Sequence, residues 1–198
     1  MLKRIFDILF SLLILIMLLP VWLIICLAII IDDGFPIFYL QERIGRDFKP
    51  FYLIKFRTMY KNADKKGLLT VGSKDSRITR VGYYLRKYKL DELPQFINVL
   101  KGDMSIVGPR PEVRKYVEMY DDIQKKVLSV KPGITDEASL KYIDENDVLA
   151  KSENPERDYI EKIMPEKLEI NLNYIENMSV WRDIKIIFKT ALRMFFRQ

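Results

Sequence analysis

The sequence predicts an α+β protein, a mostly helical and membrane-associated domain with one small β-hairpin. Three observations lead to this prediction. Residues 8–31 form an uncharged apolar run, residues 36–59 contain two β-branched and aromatic stretches around a turn, and most of the remainder has helical periodicity. We therefore expect a membrane segment in residues 1–32 and a water-facing domain in residues 33–198 that ends in an amphipathic helix.

Composition limits the chemistry available to the chain. Of its 198 residues, 49% are hydrophobic and 30% are charged, and the net charge is +6. This charge favours anionic partners such as nucleic acid, anionic lipid or phosphorylated substrates. The single cysteine, Cys26, excludes an internal disulfide, and the lack of histidine removes the usual acid–base group and the commonest zinc ligands. Chemistry would then depend on carboxylates, cationic side chains, hydroxyls or a hard metal ion.

The apolar run is long enough to cross a bilayer. Its 24 residues would form a helix of about 36 Å, against a hydrocarbon core of about 30 Å. It is longer than the apolar core of a signal peptide, which has about 7–15 residues. Pro20 lies near its middle and predicts a kink. The run is therefore either a kinked transmembrane helix or a re-entrant hairpin with both ends on one face.

Basic residues flank the run on both sides. Lys3 and Arg4 precede it, and Arg43 and Arg46 follow it. Such residues favour the cytoplasmic face, so a spanning helix would place one basic flank outside. A re-entrant hairpin keeps both flanks inside, and a substrate found in the cytosol would require that topology.

The remaining elements are predicted from periodicity and turn residues. A turn at residues 45–47 separates the two strands of the hairpin, residues 36–43 and 51–59. Prolines exclude regular helix from the rigid loop at residues 107–111, and residues 61–75 predict a polar loop. Helices are predicted over residues 81–89, 93–100, 113–130 and 157–174.

The C-terminal residues 180–198 predict a basic amphipathic helix. Its basic residues recur every three or four positions: Arg182, Lys185, Lys189, Arg193 and Arg197. The other side carries Trp181, Ile184, Ile187, Phe188, Ala191, Leu192 and Phe195. Such a helix can lie in the membrane interface or pack against the domain as a surface helix.

The densest group of reactive side chains is residues 89–95, KLDELPQ. Neighbouring helical residues point about 100° apart, so Asp91 and Glu92 cannot share a proton as a facing pair. One of them could attack an electrophile while the other holds a metal ion. The alternative is structural, because acidic residues and a proline are common in the first turn of a helix.

Several cations surround this acidic pair in the sequence. Lys55 and Arg57 lie in the second strand-like stretch, Arg86 lies just upstream, and Arg110 follows on the proline-rich loop. Arginine forms planar, bidentate hydrogen bonds with phosphate, so these residues together could bind a diphosphate. Each one taken singly could equally be a solvated surface charge.

These segments occur in the order found in a known family. The apolar run with its proline is followed by KFRTM at residues 55–59, LDELPQ at 90–95, GDMS at 102–105, VGPRP at 107–111 and KPGIT at 131–135. In this arrangement the chain resembles the bacterial sugar transferases, which are monotopic phosphoglycosyl transferases. The resemblance covers nearly the whole chain, and it is to the small form that consists of the catalytic core alone.

The resemblance implies a ping-pong transfer of a phospho-sugar from a UDP-sugar to a polyprenol phosphate, usually undecaprenyl phosphate, at the start of polysaccharide or glycoconjugate biosynthesis. Asp91 matches the aspartate that attacks the sugar-bearing phosphorus and releases UMP. Glu92 matches the residue that holds Mg²⁺ near the diphosphate. The catalytic domain would then lie on the cytosolic face of the bacterial inner membrane, in contact with membrane lipid.

The resemblance also implies roles for the cations. Arg86 and Arg110 match arginines that neutralise phosphate, and Lys55 matches an active-site lysine of the family. We expect Arg57 and Pro111, which belong to the KFRTM and VGPRP motifs, in the same substrate site.

The chain departs from the family pattern at two places. Pro20 matches the proline that bends the re-entrant helix, but Leu19 precedes it where the family often has a small polar residue. Many members carry a glycine–arginine pair after the KPGIT motif, and this arginine belongs to the nucleotide site. Residues 136–143 contain no arginine here. Lys141 is the available cation, although lysine is a point charge and not a bidentate donor.

Two non-enzymatic hypotheses compete with this one. A membrane adaptor that binds anionic lipid or a partner protein would account for both ends of the chain, but not for the acidic, arginine and proline motifs between them. A membrane-tethered nucleic-acid binder agrees with the positive charge. The sequence has no recognised nucleic-acid-binding motif, so we expect no nucleic-acid partner.

Overall fold

The structure, a computed structural model, describes residues 2–63 and 75–195. Helices surround an antiparallel β-hairpin and a short parallel pair of strands. The predicted α+β class is therefore confirmed. Most of the predicted loop at residues 61–75, and Arg197 of the predicted basic stripe, lie outside the described residues.

The apolar run forms two helices that meet at a sharp bend. Helix α1 covers Leu2–Met17 and helix α2 covers Leu19–Asp33, with Pro20 in the first turn of α2. Proline fits a first turn but disrupts the helix that precedes it, and the two helices are bent by 62° where the sequence predicts a kink. Among the described residues, no helix on its own has both the length and the apolar composition of a membrane span; α1 and α2 meet those criteria only as a bent pair.

Strand β1, Phe38–Ile44, and strand β2, Pro50–Phe56, form the predicted antiparallel hairpin. A 3-10 turn at Arg46–Phe48 joins them, which agrees with the predicted turn. Strand β2 ends at Phe56, earlier than predicted, and Met59 pairs with Ile78 instead of with β1.

Helices α3, Arg80–Lys87, and α4, Gln95–Lys101, correspond to two predicted helices. Thr79 caps the start of α3 through its side-chain oxygen, as expected of an N-cap threonine. Gly102 ends α4 in the left-handed conformation, with φ 95°, which glycine adopts at little cost. A 3-10 turn at Leu90–Glu92 lies between the two helices.

Strands β3, Ser105–Val107, and β4, Gly133–Thr135, pair in parallel. The chain between them contains helix α5, Arg114–Val117, and a 3-10 segment, Gln124–Ser129. The single amphipathic helix predicted over residues 113–130 is therefore wrong.

Asp121 explains why that helix is interrupted. Its Oδ1 accepts hydrogen bonds from the N–H groups of Ile123 and Gln124, both at 2.8 Å. Aspartate competes with the helical backbone in this way and starts a new turn. Buried side chains still recur through the segment: Tyr116, Val117, Tyr120, Val127 and Leu128. The apolar periodicity therefore reports burial and not one continuous helix.

A series of helices follows β4. They are α6, Glu137–Lys141; α7, Glu145–Leu149; α8, Pro155–Asp158; α9, Met164–Glu176; and α10, Val180–Phe195. A π-turn at Tyr159–Ile163 joins α8 to α9 without a break. Residues 157–174 are thus helical, as predicted.

Helix α10 packs against the domain through one side and exposes another. Asp183 and Ile186 are buried, and Asp183 accepts a hydrogen bond from the Tyr174 hydroxyl. Trp181 and Phe188, in contrast, are 74% and 62% exposed. The predicted amphipathic tail therefore packs on the domain and also presents apolar side chains to the outside.

Within the described residues, the core consists of three apolar clusters. Leu168 of α9 belongs to the first, which also includes buried side chains of the segment between β3 and β4. Tyr174 and Ile186 belong to the second, against which the start of α1 packs. Phe56 and Leu85 form the third cluster together with side chains of α2. Both halves of the apolar run therefore contact the folded domain.

Polar contacts also fasten α1 to the domain. Arg4 donates a hydrogen bond to the main-chain oxygen of Val99 in α4 at 2.5 Å. Asp7 is 2% exposed and accepts a hydrogen bond from the Ile106 N–H in β3 at 3.1 Å. Strand β3 leads directly into the VGPRP motif, so α1 helps to position that loop.

We expect Asp7→Ala to lower the free energy of unfolding by about 1–3 kcal/mol, because the Ile106 N–H would remain buried without its acceptor. Guanidinium-induced unfolding of the purified protein measures the change. Asp122→Ala is the control: the Asp122 side chain is 98% exposed, so its effect should stay within about 0.5 kcal/mol. Equal effects of the two substitutions would show that the Asp7 contact contributes no particular stability.

Candidate active site

Asp91 and Glu92 lie in the 3-10 turn between α3 and α4. Lys89, just before this turn, has the left-handed backbone angles φ 56° and ψ 21°. Such angles are uncommon for a residue with a side chain, and they cluster near functional sites. The reversal at Lys89 brings the acidic pair against β2. Because α4 begins only at Gln95, the pair precedes that helix and does not form its first turn.

Two sets of contacts hold this turn in place. At Gly82 in α3, a Cβ atom would lie 2.1 Å from the main-chain oxygen of Thr58, so only glycine permits this approach. From α4, Asn98 donates to the Tyr52 carbonyl at 2.8 Å and accepts from the Ile54 N–H at 3.0 Å. Helices α3 and α4 are thereby fixed against β2 and the KFRTM motif.

A second close backbone approach holds the proline-rich loop. At Gly133, a Cβ atom would lie 2.2 Å from the Gly108 nitrogen, so glycine is required where the KPGIT motif crosses the VGPRP motif. The Gly133 N–H donates to the Pro109 carbonyl at 2.9 Å, and the Arg110 N–H donates to Asp136 Oδ2 at 3.3 Å. These contacts fix the backbone from which the Arg110 side chain extends.

Arg110 and Glu92 form a bidentate ion pair. Arg110 Nη2 lies 2.7 Å from Glu92 Oε1, and Nη1 lies 3.0 Å from Oε2. Nη1 also donates to the Ile134 carbonyl at 2.7 Å, and Lys55 Nζ lies 3.9 Å from Glu92 Oε1. The pair therefore joins the acidic turn, the hairpin and the proline-rich loop at one point.

The surrounding cations keep Glu92 ionised. Burial opposes its charge, but the charges of Arg110 and Lys55 outweigh burial and hold the pKa of Glu92 below its ordinary range. Burial also lowers the pKa of Lys55 to about 8, although Glu92 and Asp91 oppose that shift. At neutral pH, Glu92 is thus a carboxylate and Lys55 is mostly protonated.

Asp91 has a different environment from that of Glu92. It is 7% exposed, and burial together with the Glu92 charge raises its pKa. The positive charges of Lys55 and Arg86 oppose this rise. A cation bound beside Asp91 would lower its pKa and favour the carboxylate form.

The first pocket, about 340 Å³ in volume, combines cations with aromatic rings. Its lining includes Asp91, Arg86, Lys55 and Arg57, which the sequence predicted for the site. It is also lined by the aromatic residues Phe38, Tyr39, Phe56 and Tyr60. A ligand here would meet an acidic side chain, cationic side chains and aromatic rings.

The second pocket, about 180 Å³ in volume, adjoins the first. Arg110 and Pro111, the other predicted substrate-site residues, line it. The two pockets share Gln41, Arg43 and Lys55. Gln41 was not predicted from the sequence, and Arg43 was predicted only as a charge that follows the apolar run. Their spacing of two in a strand, which puts both side chains on one face of the hairpin, is the signal that could have shown their role.

Arg57 lines the first pocket, but its charge is engaged elsewhere. Its Nη2 donates to the main-chain oxygens of Asp33 and Gly34 at 2.9 and 2.6 Å, and its Nη1 lies 3.0 Å from Asp33 Oδ2. These contacts tie the end of α2 to the residue that follows β2. Substrate binding by Arg57 stays a prediction, whereas its contacts with α2 are structural.

Lys141 lies away from both pockets. This candidate for the missing nucleotide-site arginine forms an ion pair with Glu166 in α9, and its side chain is 57% exposed. Within the described residues, neither pocket includes it. Arg43 lines both pockets but pairs with Glu112, and Arg86 lines the first pocket together with Asp91.

We expect Arg110→Met to lower the free energy of unfolding by about 2–4 kcal/mol, because Glu92 would remain largely buried without its partner. This loss of stability is smaller than the loss expected for a fully buried ion pair, because the Arg110 side chain is 29% exposed. Adding Glu92→Gln to the same chain should recover part of the loss. Chemical unfolding of the purified variants measures both effects.

The control for this prediction is Arg157→Met. It breaks the exposed pair between Arg157 and Glu161 and should change stability by less than about 0.5 kcal/mol. A loss for Arg110→Met no larger than that of the control would contradict a stabilising role for the pair.

Comparison with known proteins gives consistent matches. A family model described as bacterial sugar transferase matches residues 1–197. The chain is 40% identical over 199 residues to the UDP-glucose:undecaprenyl-phosphate glucose-1-phosphate transferase of Escherichia coli K12, covering 98% of this chain and 40% of that protein. It is 36% identical over 194 residues to the UDP-N-acetylgalactosamine-undecaprenyl-phosphate N-acetylgalactosaminephosphotransferase of Aeromonas hydrophila, covering 95% of this chain and 42% of that protein.

A third relative matches over most of its own length. The chain is 36% identical over 203 residues to the exopolysaccharide production protein ExoY of Sinorhizobium fredii, covering 95% of this chain and 83% of that protein. The chain thus spans about two fifths of the length of the first two relatives. Because the family model matches almost every residue and the third relative is covered for most of its length, this chain belongs to the bacterial sugar transferase family.

Proposed function

We propose that this chain is a phosphoglycosyl transferase that moves a phospho-sugar from a UDP-sugar to a polyprenol phosphate, undecaprenyl phosphate in bacteria, and so initiates polysaccharide or glycoconjugate biosynthesis. One observation carries the proposal: Asp91 lines a pocket with Lys55 and Arg86, beside a Glu92 carboxylate that Arg110 holds. The names of the E. coli and A. hydrophila relatives describe sugar-phosphate transfer from a UDP-sugar to undecaprenyl phosphate. They support the same reaction class here.

In the first half-reaction, a carboxylate oxygen of Asp91 attacks the phosphorus that carries the sugar. The bond that forms joins Asp91 to this phosphorus. The bond that breaks joins the phosphorus to the oxygen bridging the two phosphates, and UMP leaves with that electron pair. Carboxylates are weak nucleophiles, but they react when the phosphorus is held in line and its charge is neutralised. Lys55 and Arg86 would supply that neutralisation.

In the second half-reaction, an oxygen of the polyprenol phosphate attacks the same phosphorus, and the bond to Asp91 breaks. The products are a polyprenyl diphospho-sugar and the free Asp91 carboxylate. Because both displacements are in line, the lipid phosphate must enter from the side that UMP left. One cavity would then receive the nucleotide and the lipid phosphate in turn. The cations and aromatic rings of the first pocket suit both.

Mg²⁺ is the cofactor that we propose for this site. Within the described residues, no group of three or more acidic, cysteine or histidine side chains could hold a metal ion. Mg²⁺ commonly binds, however, through one or two carboxylates together with substrate phosphates and water. A carboxylate has about four lone-pair positions, of which Arg110 uses two on Glu92. Glu92 can hold the ion through the others, and the bound ion would neutralise the diphosphate.

The two ends of the bent helix pair contact the same domain. Lys3 in α1 lies 2.5 Å from Asp183 in α10, and Asp33 at the end of α2 pairs with Arg57. Apolar side chains between these ends are exposed by 47% or more: Leu12, Leu13, Ile16, Met17, Leu19, Leu23, Ile24 and Leu27. This arrangement supports a re-entrant hairpin that enters and leaves the membrane on one face.

Helix α10 offers a second surface for lipid. Trp181, Ile184, Phe188 and Leu192 recur at helical spacing and are all exposed, with Lys185 and Lys189 beside them. Basic amphipathic helices of this kind lie in the interface of anionic membranes. The domain would then rest on the cytosolic face of the bacterial cytoplasmic membrane, where a UDP-sugar can reach it.

A non-enzymatic membrane adaptor remains the competing function. It would use the same two apolar surfaces, but it would not need a buried aspartate beside a cationic pocket. Burial of an unpaired carboxyl group costs stability, and perturbed pKa values of this kind cluster at catalytic sites. The position of Asp91 in a pocket lined by Lys55 and Arg86 therefore favours the enzyme.

Asp91→Asn should lower UMP release from the preferred UDP-sugar by at least about 10³-fold, because an amide does not replace the carboxylate as nucleophile. The assay uses the purified chain in lipid nanodiscs with Mg²⁺, polyprenol phosphate and a panel of UDP-sugars. Mass spectrometry after addition of the donor alone should find one phospho-sugar on the wild type and none on the variant.

Asp122→Asn, which changes an exposed aspartate, is the control for that assay and should keep full activity. Normal turnover by Asp91→Asn would refute the covalent assignment. Failure of the wild type to release UMP from every donor would instead favour the adaptor.

Removal of divalent ions with EDTA should abolish UMP release, and added Mg²⁺ should restore it, because Lys55 and Arg86 alone would leave part of the diphosphate charge unneutralised. Glu92→Gln should raise the Mg²⁺ concentration for half-maximal activity by about 10-fold or more, as expected for loss of a metal ligand. Glu118→Gln, at an exposed glutamate, should leave it unchanged. Full activity in EDTA would exclude the metal requirement.

The re-entrant topology predicts that both ends of the helix pair lie in the cytosol. Leu2→Cys and Phe35→Cys, each in a Cys26→Ser background, should resist a membrane-impermeant maleimide in intact cells and react after lysis. Asp122→Cys is the cytosolic control. Labelling of either end in intact cells would mean that the apolar run spans the membrane.

A further inference from the structure

The second pocket has a wall that the proposed mechanism does not use. Glu145 of α7, Tyr159 of the π-turn and Lys167 of α9 line it, together with Lys55 and Arg110 from the active site. Its volume of about 180 Å³ is below the roughly 300–1,000 Å³ typical of a site for a whole small ligand. The pocket therefore suits one ring of a larger ligand whose remainder lies in the first pocket.

Hydrogen bonds and an ion pair order this wall. Lys167 Nζ lies 2.7 Å from Glu145 Oε2 and 5.7 Å from the centroid of the Tyr159 ring. Glu112, next to Pro111, accepts hydrogen bonds from the Tyr159 hydroxyl at 2.5 Å and from Arg43 at 2.9 Å. Side chains held in this way are pre-organised, which lowers the entropic cost of binding a ligand.

The backbone at Tyr159 is a second sign of a binding role. Tyr159 begins the π-turn that joins α8 to α9. Such turns are rare, occur mostly within α-helices and are frequent at functional sites. The π-turn supplies Tyr159 to the pocket.

The chemistry of the wall suits sugar hydroxyls, which both donate and accept hydrogen bonds. Glu145 supplies acceptor oxygens, and the ammonium of Lys167 supplies three donors. In the described part of the chain, Glu145 takes one of these donors, which leaves two for a ligand. The first pocket, with its aromatic rings and cations, suits a base and phosphates instead.

The proposed mechanism requires a separate place for the sugar. The sugar stays attached to the reacting phosphorus through both half-reactions, while UMP leaves and the lipid phosphate enters. We infer that the second pocket holds the sugar of the UDP-sugar donor, and that Glu145, Tyr159 and Lys167 determine which sugar is accepted. This inference rests on the proposed function and adds to it a place for substrate selection.

Lys167→Met and Glu145→Gln test the inference, and Lys141→Met is the matched control. Lys141 also pairs with a glutamate of the α7–α9 region, Glu166, but it is 57% exposed and lies outside the pocket. For each variant, kcat/KM for UMP release is measured across a panel of UDP-sugars. The inhibition constant of UMP, which has no sugar, is measured on the same preparations.

We expect each pocket variant to lower kcat/KM for the preferred donor by about 10-fold or more, because a hydrogen bond to the sugar is lost. The kcat/KM for less preferred UDP-sugars should fall less. The ratio of kcat/KM between the preferred donor and the others should therefore fall by about 5-fold or more. The inhibition constant of UMP should change by less than about twofold, and Lys141→Met should match the wild type. Glu145→Gln keeps the shape of the wall and gives the same test if Lys167→Met destabilises the fold.

Two results would overturn the sugar subsite while leaving the transferase intact. One is an active wild type whose selectivity is unchanged in both pocket variants. The other is a weakened affinity for UMP without a change in selectivity, which would assign the pocket to the nucleotide. A wild type that releases UMP from no donor would overturn the proposed function itself and the subsite with it.

Discussion

The bidentate ion pair between Glu92 and Arg110 is the interaction on which the candidate site depends. Each charge would be costly to bury alone, and together they join the acidic turn to the loop after β3, with Lys55 3.9 Å away. The two neighbouring acids have pKa values shifted in opposite directions. Arg110 and Lys55 hold the pKa of Glu92 low and keep it ionised, whereas burial and the Glu92 charge raise the pKa of Asp91. Neighbouring acids with pKa values shifted in opposite directions can take different roles. The charge of Asp91 then depends on the ligand that binds beside it.

Arg57 connects this site to the bent helix pair. Lys55, two residues earlier in β2, lies 3.9 Å from Glu92. Strand β2 ends at Phe56, and the next residue, Arg57, binds the end of α2 through Asp33 and Gly34. At the other end of the pair, Asp7 binds the strand that leads to the proline-rich loop. Direct contacts thus connect the helix pair to the loops of the candidate site. If the helix pair enters the membrane as we propose, these contacts set the depth and the orientation of the first pocket.

Much of the fold could be predicted because its causes are local. Proline chemistry predicts the bend at Pro20, and turn residues predict the hairpin. The helix over residues 113–130 fails for a local reason too, since Asp121 forms side-chain hydrogen bonds that apolar periodicity does not register. In the site, residue type and motif order were enough to predict that Asp91 and Arg86 lie in one pocket. Gln41 was not predicted, because residue type alone does not mark it and only its spacing of two from Arg43 places it on the same face of the strand.

The sequence by itself determined the bend at Pro20, the hairpin, several of the helices, the order of the motifs and hence the family, because each of these depends on a few neighbouring residues. Only the tertiary structure decided the partners: Glu92 with Arg110, and Lys167 with Glu145. It also decided that Arg57 forms hydrogen bonds with the end of α2 and that Lys141 lies at the surface. Ion pairing and desolvation depend on groups that are distant in the chain, and the close backbone approaches that unite them, such as that at Gly133, exist only after folding.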